Sequence, residues 1–303
     1  MKSNKRHTRT SSQTTVVRNP SRQTKAKPLR NSKATGKLPP FLRFLQSIPL
    51  WGFIAGGAAI VAAYCIVLFY FFVDPYSFQW KAIYGETTFP KEYTIRGIDV
   101  SHYQGNINWE KLRNASMAGS PVSFVIIKAT EGVSIMDDYF NDNFYQSRRN
   151  GLIRGAYHFL TPDVSATKQA QFYLHQAHLE DGDLPPILDI EDEKKWLASG
   201  HDKHEIQQMA LEWLEIVERH YGVTPIIYSS YRFRRDILTD AKFRRFPFWM
   251  AHYYVTEPAK DVEWMFWQHT DCGKLPGIHG MVDCNVFRGS VQELKKILIQ
   301  NTI

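Results

Sequence analysis

The first 47 residues are rich in Ser, Thr, Asn, Lys, Arg and Pro, in a run without hydrophobic period. Such a run buries too little apolar surface to offset the entropy of ordering, so a disordered arm is expected. The pattern then changes abruptly. No charged residue occurs from Phe44 to Val73, and residues 48–73 stay apolar for longer than the roughly 20 residues that cross a bilayer. A transmembrane helix is predicted there. A cleavable signal peptide has an apolar region of about 7 to 15 residues and a small-residue cleavage site, and neither is present. Trp51, Tyr70 and Tyr76 fall near its ends, and Gly52, Ala55, Gly56 and Gly57 offer a small-residue face for helix pairing. Residues 74–94 mix aromatic and polar side chains without period and read as a membrane-proximal linker.

Beyond residue 94 short β-branched or aromatic runs alternate with helical patterns. Strands are predicted at 96–100, 124–129, 153–159, 187–190, 226–229, 248–252, 264–268 and 282–287. Helices are predicted at 109–117, 139–150, 165–178, 204–221, 232–238 and 290–299. The second of these has Asp137 or Asp138 as N-cap and ends at Gly151, and the fourth ends at Gly222. Repeated βα units imply a parallel sheet, and eight strands suit a TIM-like β/α barrel whose last turns have lost their helices. The alternative, an open doubly wound sheet, calls for a glycine-rich phosphate loop after the first strand, which Gly97 and Gly105 do not supply.

Charge divides the chain at the same boundary. Twelve basic residues and no acid precede Asp74, which leaves 25 basic and 30 acidic residues for the rest. The basic balance therefore belongs to the arm, and the folded part lacks the positive field that nucleic-acid binding needs. Lys and Arg flanking a span stay on the cytoplasmic side, so the N-terminus is expected inside and residues 74–303 outside. Cys272 and Cys284 are then in an oxidising compartment, where a disulfide and two buried thiols are both open.

In a barrel the active site lies at the C-terminal ends of the strands. There stand Asp99, Ser101 and His102; Lys128 and Glu131; Tyr157 and His158; Asp189 and Glu191; Tyr228; Trp249 and His252; Trp267 and Gln268; Asp283 and Asn285. Residues two apart on a strand share a face, so Asp189 and Glu191 point inward with Cα atoms roughly 6.5 Å apart, while Ile190 points outward. Repulsion raises the pKa of one of them, as glycosidic cleavage by a proton donor and a nearby anion requires. Tyr157, Tyr228, Trp249, Tyr253, Trp264 and Trp267 lie near strand ends as platforms for sugar faces or as ordinary core. His158 is expected to face away from the site. Lys128, sharing a face with Ile126 and Thr130, either balances the acids or forms a structural ion pair.

These residues carry a resemblance. Gly97-Ile98-Asp99-Val100-Ser101-His102-Tyr103-Gln104-Gly105, Lys128-Ala129-Thr130-Glu131-Gly132 and Gly155-Ala156-Tyr157-His158-Phe159 resemble glycoside hydrolase family 25. The likeness continues in order through Pro186-Ile187-Leu188-Asp189-Ile190-Glu191, Pro225-Ile226-Ile227-Tyr228, Trp249-Met250-Ala251-His252-Tyr253, Trp267-Gln268 and Val282-Asp283-Cys284-Asn285-Val286-Phe287. It implies a modified barrel of five βα units and three further strands over residues 95–303, and a metal-independent muramidase with no cofactor. The implied substrate is the β-1,4 bond from N-acetylmuramic acid to N-acetylglucosamine in peptidoglycan. Glu191 takes the general-acid position. Asp189 takes that of a neighbouring acid which supports a substrate acetamide as nucleophile or acts more directly, and Asp99 and Asp283 take the other acidic positions. Tyr157, Tyr228, Trp249, Tyr253, Trp267, Gln268 and Lys128 are the expected substrate contacts. Two other readings stay open: a degenerate domain that holds glycan without cutting it, and a metal-dependent deacetylase or phosphatase using Asp99, His102, His158, Asp189 and Glu191.

Overall fold

The computed structural model describes residues 39–69 and 89–300. In the first stretch, helix α1 (Pro40–Ser47) precedes helix α2 (Leu50–Leu68). Helix α1 corrects the expectation that structure is absent up to residue 47. Pro40 suits the first helical position, and Phe41, Phe44 and Leu45 repeat at helical spacing. Helix α2 has 19 residues, a mean hydropathy of 2.0 and no buried residue, so it is long and apolar enough to cross a membrane. Residues 1–38 and 70–88, which include most of the expected arm, the end of the expected span and most of the linker, lie outside the described residues.

The second stretch is a closed sheet. Its barrel strands are β1 (Ile95–Val100), β3 (Ser120–Glu131), β5 (Ile153–Phe159), β6 (Ile187–Asp189), β7 (Ile226–Ser230), β8 (Phe248–Ala251), β9 (Phe266–Gly273) and β10 (Val282–Phe287). Neighbours from β1 through β3 and β5 to β9 run parallel, whereas β10 is antiparallel to both β9 and β1 and closes the ring. Two short strands, β2 (Ser116–Met117) and β4 (Ile135–Met136), pair with β3 off the ring. Helices α3 (Trp109–Arg113), α4 (Phe140–Arg149), α5 (Ala166–Gln176), α6 (Glu193–Ala198), α7 (Lys203–Tyr221) and α8 (Tyr231–Asp236) follow the first five barrel strands, and α9 (Val291–Lys296) closes the chain. The α/β barrel expected from the sequence is thus the fold found, and among the described residues no helix follows β8 or β9.

Local chemistry explains most boundaries. Helix α7 opens on a capping box, with Asp202 accepting from the Glu205 N–H and Glu205 from the Asp202 N–H, and ends at Gly222 with a φ of 67°. Helix α4 begins differently from the expectation. The carboxylate of Asp137 accepts from the N–H groups of Tyr139 and His102 instead of capping the helix, because it braces the turn after β1. The expected helix at 109–117 is cut to five residues, since Ser116 and Met117 are drawn into β2.

Two apolar layers hold the barrel. Ile95, Phe124, Ile126, Ile187, Ile226, Phe266 and Phe287 fill the interior, while Ile98, Val125, Ile127, Leu188, Ile190 and Met250 pack outward with the rest of the larger cluster. His158 belongs to the outer layer as expected. Its Nδ1 accepts from the Thr130 hydroxyl at 2.7 Å, its Nε2 donates to Gln169 Oε1 at 3.2 Å, and its ring stacks on Trp213 at 5.5 Å. Burial pushes its pKa down to about 3, which keeps it neutral.

Gly97 is where β1 and β3 come closest. A Cβ there would stand 2.4 Å from the Phe124 ring and 2.5 Å from the Phe124 carbonyl oxygen. Overpacking of this kind costs about 1–3 kcal/mol, and the carbonyl cannot swing aside without breaking the strand pair. Gly97→Ala is therefore expected to lower the unfolding midpoint by several degrees in a thermal melt. An unchanged melt would show that β1 and β3 can separate at that level.

Candidate active site

At the mouth of the barrel, a cavity of about 560 Å³ is lined by Asp99, Asp189, Glu191 and Asp283, by Lys128 and Glu131, and by Tyr157, Tyr228, Trp249, Tyr253 and Gln268. Strand β6 supplies its centre although only three residues long. The Ile190 N–H donates to the Tyr228 carbonyl, and the Ser229 hydroxyl donates to the Ile190 carbonyl at 2.5 Å. These bonds hold the chain extended past the strand end, so Asp189 and Glu191 emerge on one side while Ile190 is wholly buried in the outer layer. Immediately afterwards Asp192 adopts a φ of 61°, a left-handed conformation that Asp tolerates, and caps α6 by accepting from the Lys195 N–H. Trp196 of that helix donates from its indole to the Glu191 carbonyl at 3.1 Å. Glu191 is thus fixed from both sides of the backbone.

Across the mouth, Asp99 of β1 and Asp283 of β10 are register partners. Because β10 runs against the other strands, Asp283 reaches the mouth near the start of its strand and not at its C-terminal end, which corrects the uniform strand-end rule used on the sequence. Gln268 ties the seam together. Its Nε2 donates to Asp99 Oδ2 at 2.7 Å and Asp283 Oδ2 at 3.2 Å, while its Oε1 accepts from the hydroxyls of Tyr228, at 2.7 Å, and Tyr253. Asn285 adds a donor to Asp99 Oδ2 at 2.7 Å and accepts from the Trp249 indole at 2.7 Å. Every polar position of the Gln268 amide is engaged, so its orientation is fixed by the network.

A bulge in β3 aims the cation. Lys128 pairs with Tyr157, but Thr130, two residues on, pairs with His158 and Glu131 with Phe159. One residue is skipped, so Thr130 does not share the face of Lys128 as a regular strand would require, and Glu131 turns inward. Lys128 Nζ then meets Glu131 Oε2 at 2.7 Å and lies 5.3 Å above the Phe159 ring. The ion pair and the balancing of the acids, read as alternatives, coexist.

Trp267 does not reach the cavity. Gln268 faces inward, so its neighbour faces the outer layer, where the indole donates to the His252 carbonyl at 2.8 Å. Trp264 also lies in that outer layer, and His252 stacks on Tyr231. His102 is held by the buried Asp137, with 3.3 Å between Nδ1 and Oδ2, and His158 points outward, so the two histidines of the metal-dependent reading do not converge with Asp189 and Glu191. Sequence reasoning missed Tyr103, Phe159, Asp192 and Lys195, which also line the cavity. Phe159 follows from Tyr157 by strand alternation, and an Asp followed by Glu193 ahead of Trp196 is a short helix start.

Electrostatics follow from burial. Asp189 is held well above the ordinary carboxyl range, first by burial and then by the charge of Glu191, with Lys128 pulling the other way. Glu191 is raised by burial, Asp192 and Asp99. The mutual repulsion expected to keep a proton on Glu191 thus falls mainly on the deeper Asp189. Asp189 Oδ1 is buried with no hydrogen-bond partner among the described residues. Burial also raises Asp99 to about 6, and burial with the charge of Asp99 raises Asp283 to about 9.

Three comparisons bear on this geometry. The family model described as glycosyl hydrolases family 25 matches residues 98–278. Uncharacterized protein YegX of Escherichia coli strain K12 is 44% identical over 207 residues, covering 68% of this chain and 74% of that protein. Lysozyme M1 of Streptomyces globisporus is 34% identical over 214 residues, covering 66% and 70%. The crystal structure of the bacterial lysozyme from Streptomyces coelicolor superposes with a TM-score of 0.62 at 32% identity, covering 69% of this chain and 98% of that one.

The raised carboxyls set a pH dependence of stability. An unfolded carboxyl titrates near 4, roughly, so between that pH and the folded pKa the native state holds more protons than the unfolded chain. The stability contributed is whole below about pH 4 and is lost as pH climbs through about 6 for Asp99 and about 9 for Asp283. Asp283→Asn removes the later loss. Melting midpoints taken from pH 5 to pH 9, roughly the window these shifts define, are expected to fall less steeply in the variant. A slope equal to that of the unmodified protein would place the proton elsewhere.

Proposed function

The chain belongs to glycosyl hydrolase family 25, and we propose that it is a membrane-anchored muramidase that hydrolyses the β-1,4 bond between N-acetylmuramic acid and N-acetylglucosamine in peptidoglycan. The observation that carries this reading is the pair Asp189 and Glu191, both with raised pKa, on one face at the end of β6 in an aromatic-walled cavity. The domains proposed are a cytoplasmic arm up to residue 47, a span at 48–73, a linker at 74–94 and the hydrolase barrel from residue 95.

In the mechanism proposed, Glu191 delivers its proton to the glycosidic oxygen as the bond from C1 to that oxygen breaks. The carbonyl oxygen of the substrate acetamide attacks C1 from the opposite face, and the positive charge that develops spreads onto the acetamide nitrogen. Asp189 stands beside that group. At rest the deeper Asp189 competes for the proton of the pair, but an acetamide N–H donating to its unpartnered Oδ1 favours the anion, which returns the proton to Glu191. Water then attacks C1, passing its proton to Glu191, and the amide is restored with net retention. Tyr157, Tyr228, Trp249 and Tyr253 supply ring faces and hydroxyls for the sugars, and Lys128 offsets the acids.

Glu191→Gln keeps the shape of the side chain but not its proton. It is expected to lower kcat about 10²- to 10⁴-fold with glycan binding nearly intact, read as new reducing ends from purified peptidoglycan. Asp189→Asn is expected to be comparably severe, and the first product followed by NMR should keep the anomeric configuration of the substrate. Binding of peptidoglycan without new reducing ends in the unmodified protein would support the degenerate, non-cutting alternative, and an inverted product would overturn acetamide participation.

The orientation proposed, with the arm inside and the barrel outside, rests on the twelve basic residues that precede α2 and the absence of acids there. Protease added to intact spheroplasts is expected to digest the barrel and spare the arm. A protected barrel under those conditions would reverse the orientation.

A further inference from the structure

At the end of the barrel opposite the cleft, where β8 and β9 begin and β10 ends, there is a second cavity of about 750 Å³. Part of its wall comes from a locally basic segment. Residues 231–245 hold six Lys or Arg and two Asp, whereas the rest of the chain after residue 73 holds 19 basic and 28 acidic residues. Arg235 and Arg245 on the cavity wall are neutralised by two-pronged hydrogen bonds to Asp236 and Glu218. Arg234, Arg244 and Arg288 line the same cavity, and among the described residues none of the three has a carboxylate within salt-bridge distance.

Two of these three guanidinium groups are already placed. Arg234 donates to the Leu238 carbonyl and lies 5.9 Å from the centre of the Phe248 ring, and Arg288 lies 5.4 Å from that of Trp264. Three acids share the lining, Asp240, which accepts from the Lys242 N–H, Asp261, which accepts from the Tyr231 hydroxyl, and Glu263, and none of them is within salt-bridge distance of the three arginines. An unpaired trio of planar donors suits a phosphodiester, whose oxygens accept two N–H groups at a time.

The course of the chain indicates which phosphodiester. Strand β1 starts at this end, with Ile95 opposite Phe287, and just before it Tyr93 packs edge-on against Trp264 at 5.2 Å. One indole therefore lies between the incoming chain and Arg288. Only residues 69–88 separate the end of α2 from Phe89, a distance of at most about 70 Å when fully extended. If α2 spans a bilayer, the headgroup layer around it lies within reach of that length of chain.

We propose that Arg234, Arg244 and Arg288 bind the phosphate of an anionic phospholipid headgroup and dock this end of the barrel on the membrane that carries α2, so that the cleft faces away from the lipid. The proposal rests on the membrane-anchored reading. It makes the anchor an orienting device as well as a tether.

The test uses the full chain, first in flotation with vesicles and then in nanodiscs of phosphatidylcholine with or without phosphatidylglycerol. Amide hydrogen exchange is followed across residues 239–247 and 288–290. Exchange is expected to slow in the phosphatidylglycerol discs and to recover in high salt. A basic side chain at an anionic surface is worth about fivefold in association, so Arg244→Gln and Arg288→Gln are each expected to lose about that factor of protection. Unchanged reducing-end release from soluble peptidoglycan fragments by these variants confirms that they fold. Flotation without protection overturns the docking alone, and failure to float overturns the anchored reading and the docking with it. Protection produced by inorganic phosphate in phosphatidylcholine discs, with none from phosphatidylglycerol, would assign the cavity to a free anion and overturn the lipid.

Discussion

Closing the sheet forces two carboxylates together. Strand β1 joins β3 and β10 at once, and its register with β10 sets Asp99 opposite Asp283. Like charges directly opposite on neighbouring strands are destabilising, and here both are largely removed from water. The structure relieves the conflict with a proton and with the amides of Gln268 and Asn285, which donate to Asp99. The wall of the cleft follows from this one contact. Gln268 cannot turn to the acids without presenting its oxygen to Tyr228 and Tyr253, so the seam also orders the aromatic side of the cavity.

The apolar layers make such a polar cluster tolerable. Beneath it the interior is filled by Phe124, Phe266, Phe287 and isoleucines, a platform without alternative hydrogen-bond partners. Water is excluded from below, and burial is accordingly the first cause of the raised pKa of all four acids. A carboxyl desolvated by its own fold holds its proton to higher pH without a dedicated partner, which is the direction a glycosidic general acid requires. The same desolvation costs stability, as expected where function and folding make opposite demands on a site.

Much of this was legible in the sequence because strand alternation is a local property. Strands at 153–159 and 282–287 have the predicted bounds, and the inward set Asp99, Tyr157, Asp189, Tyr228, Trp249, Gln268 and Asp283 lines one cavity. Alternation failed where the chain departs from period two or where strand direction matters. The bulge before Thr130 leaves no mark in composition, yet it decides that Glu131 meets Lys128. The antiparallel course of β10 is a tertiary choice, invisible in a run of residues that would read the same in either direction. Trp267 reads as a sugar platform for being aromatic near a strand end, although its neighbour Gln268 claims the inward face. Helix α6 was missed because six residues give too little periodicity, so only its cap announces it.

The missing helices explain the role of the segment that precedes the barrel. A regular barrel covers each strand with a helix, but β9 follows β8 through a loop without one. The outer face of β9 is covered instead by residues from the start of the domain. Phe89 packs edge-on against His269 at 5.6 Å, and Tyr93 packs against Trp264 at 5.2 Å and Trp267 at 6.4 Å. Arg96 fixes this strap by donating to the carbonyls of Pro90 and Tyr93. The final part of what reads as a linker is therefore part of the outer layer, although no helical or strand period marks it. Its aromatic residues are there because Trp264, Trp267 and His269 face outward. A chain that enters the fold as packing, and not as a free leash, carries the direction of its entry into the body of the barrel.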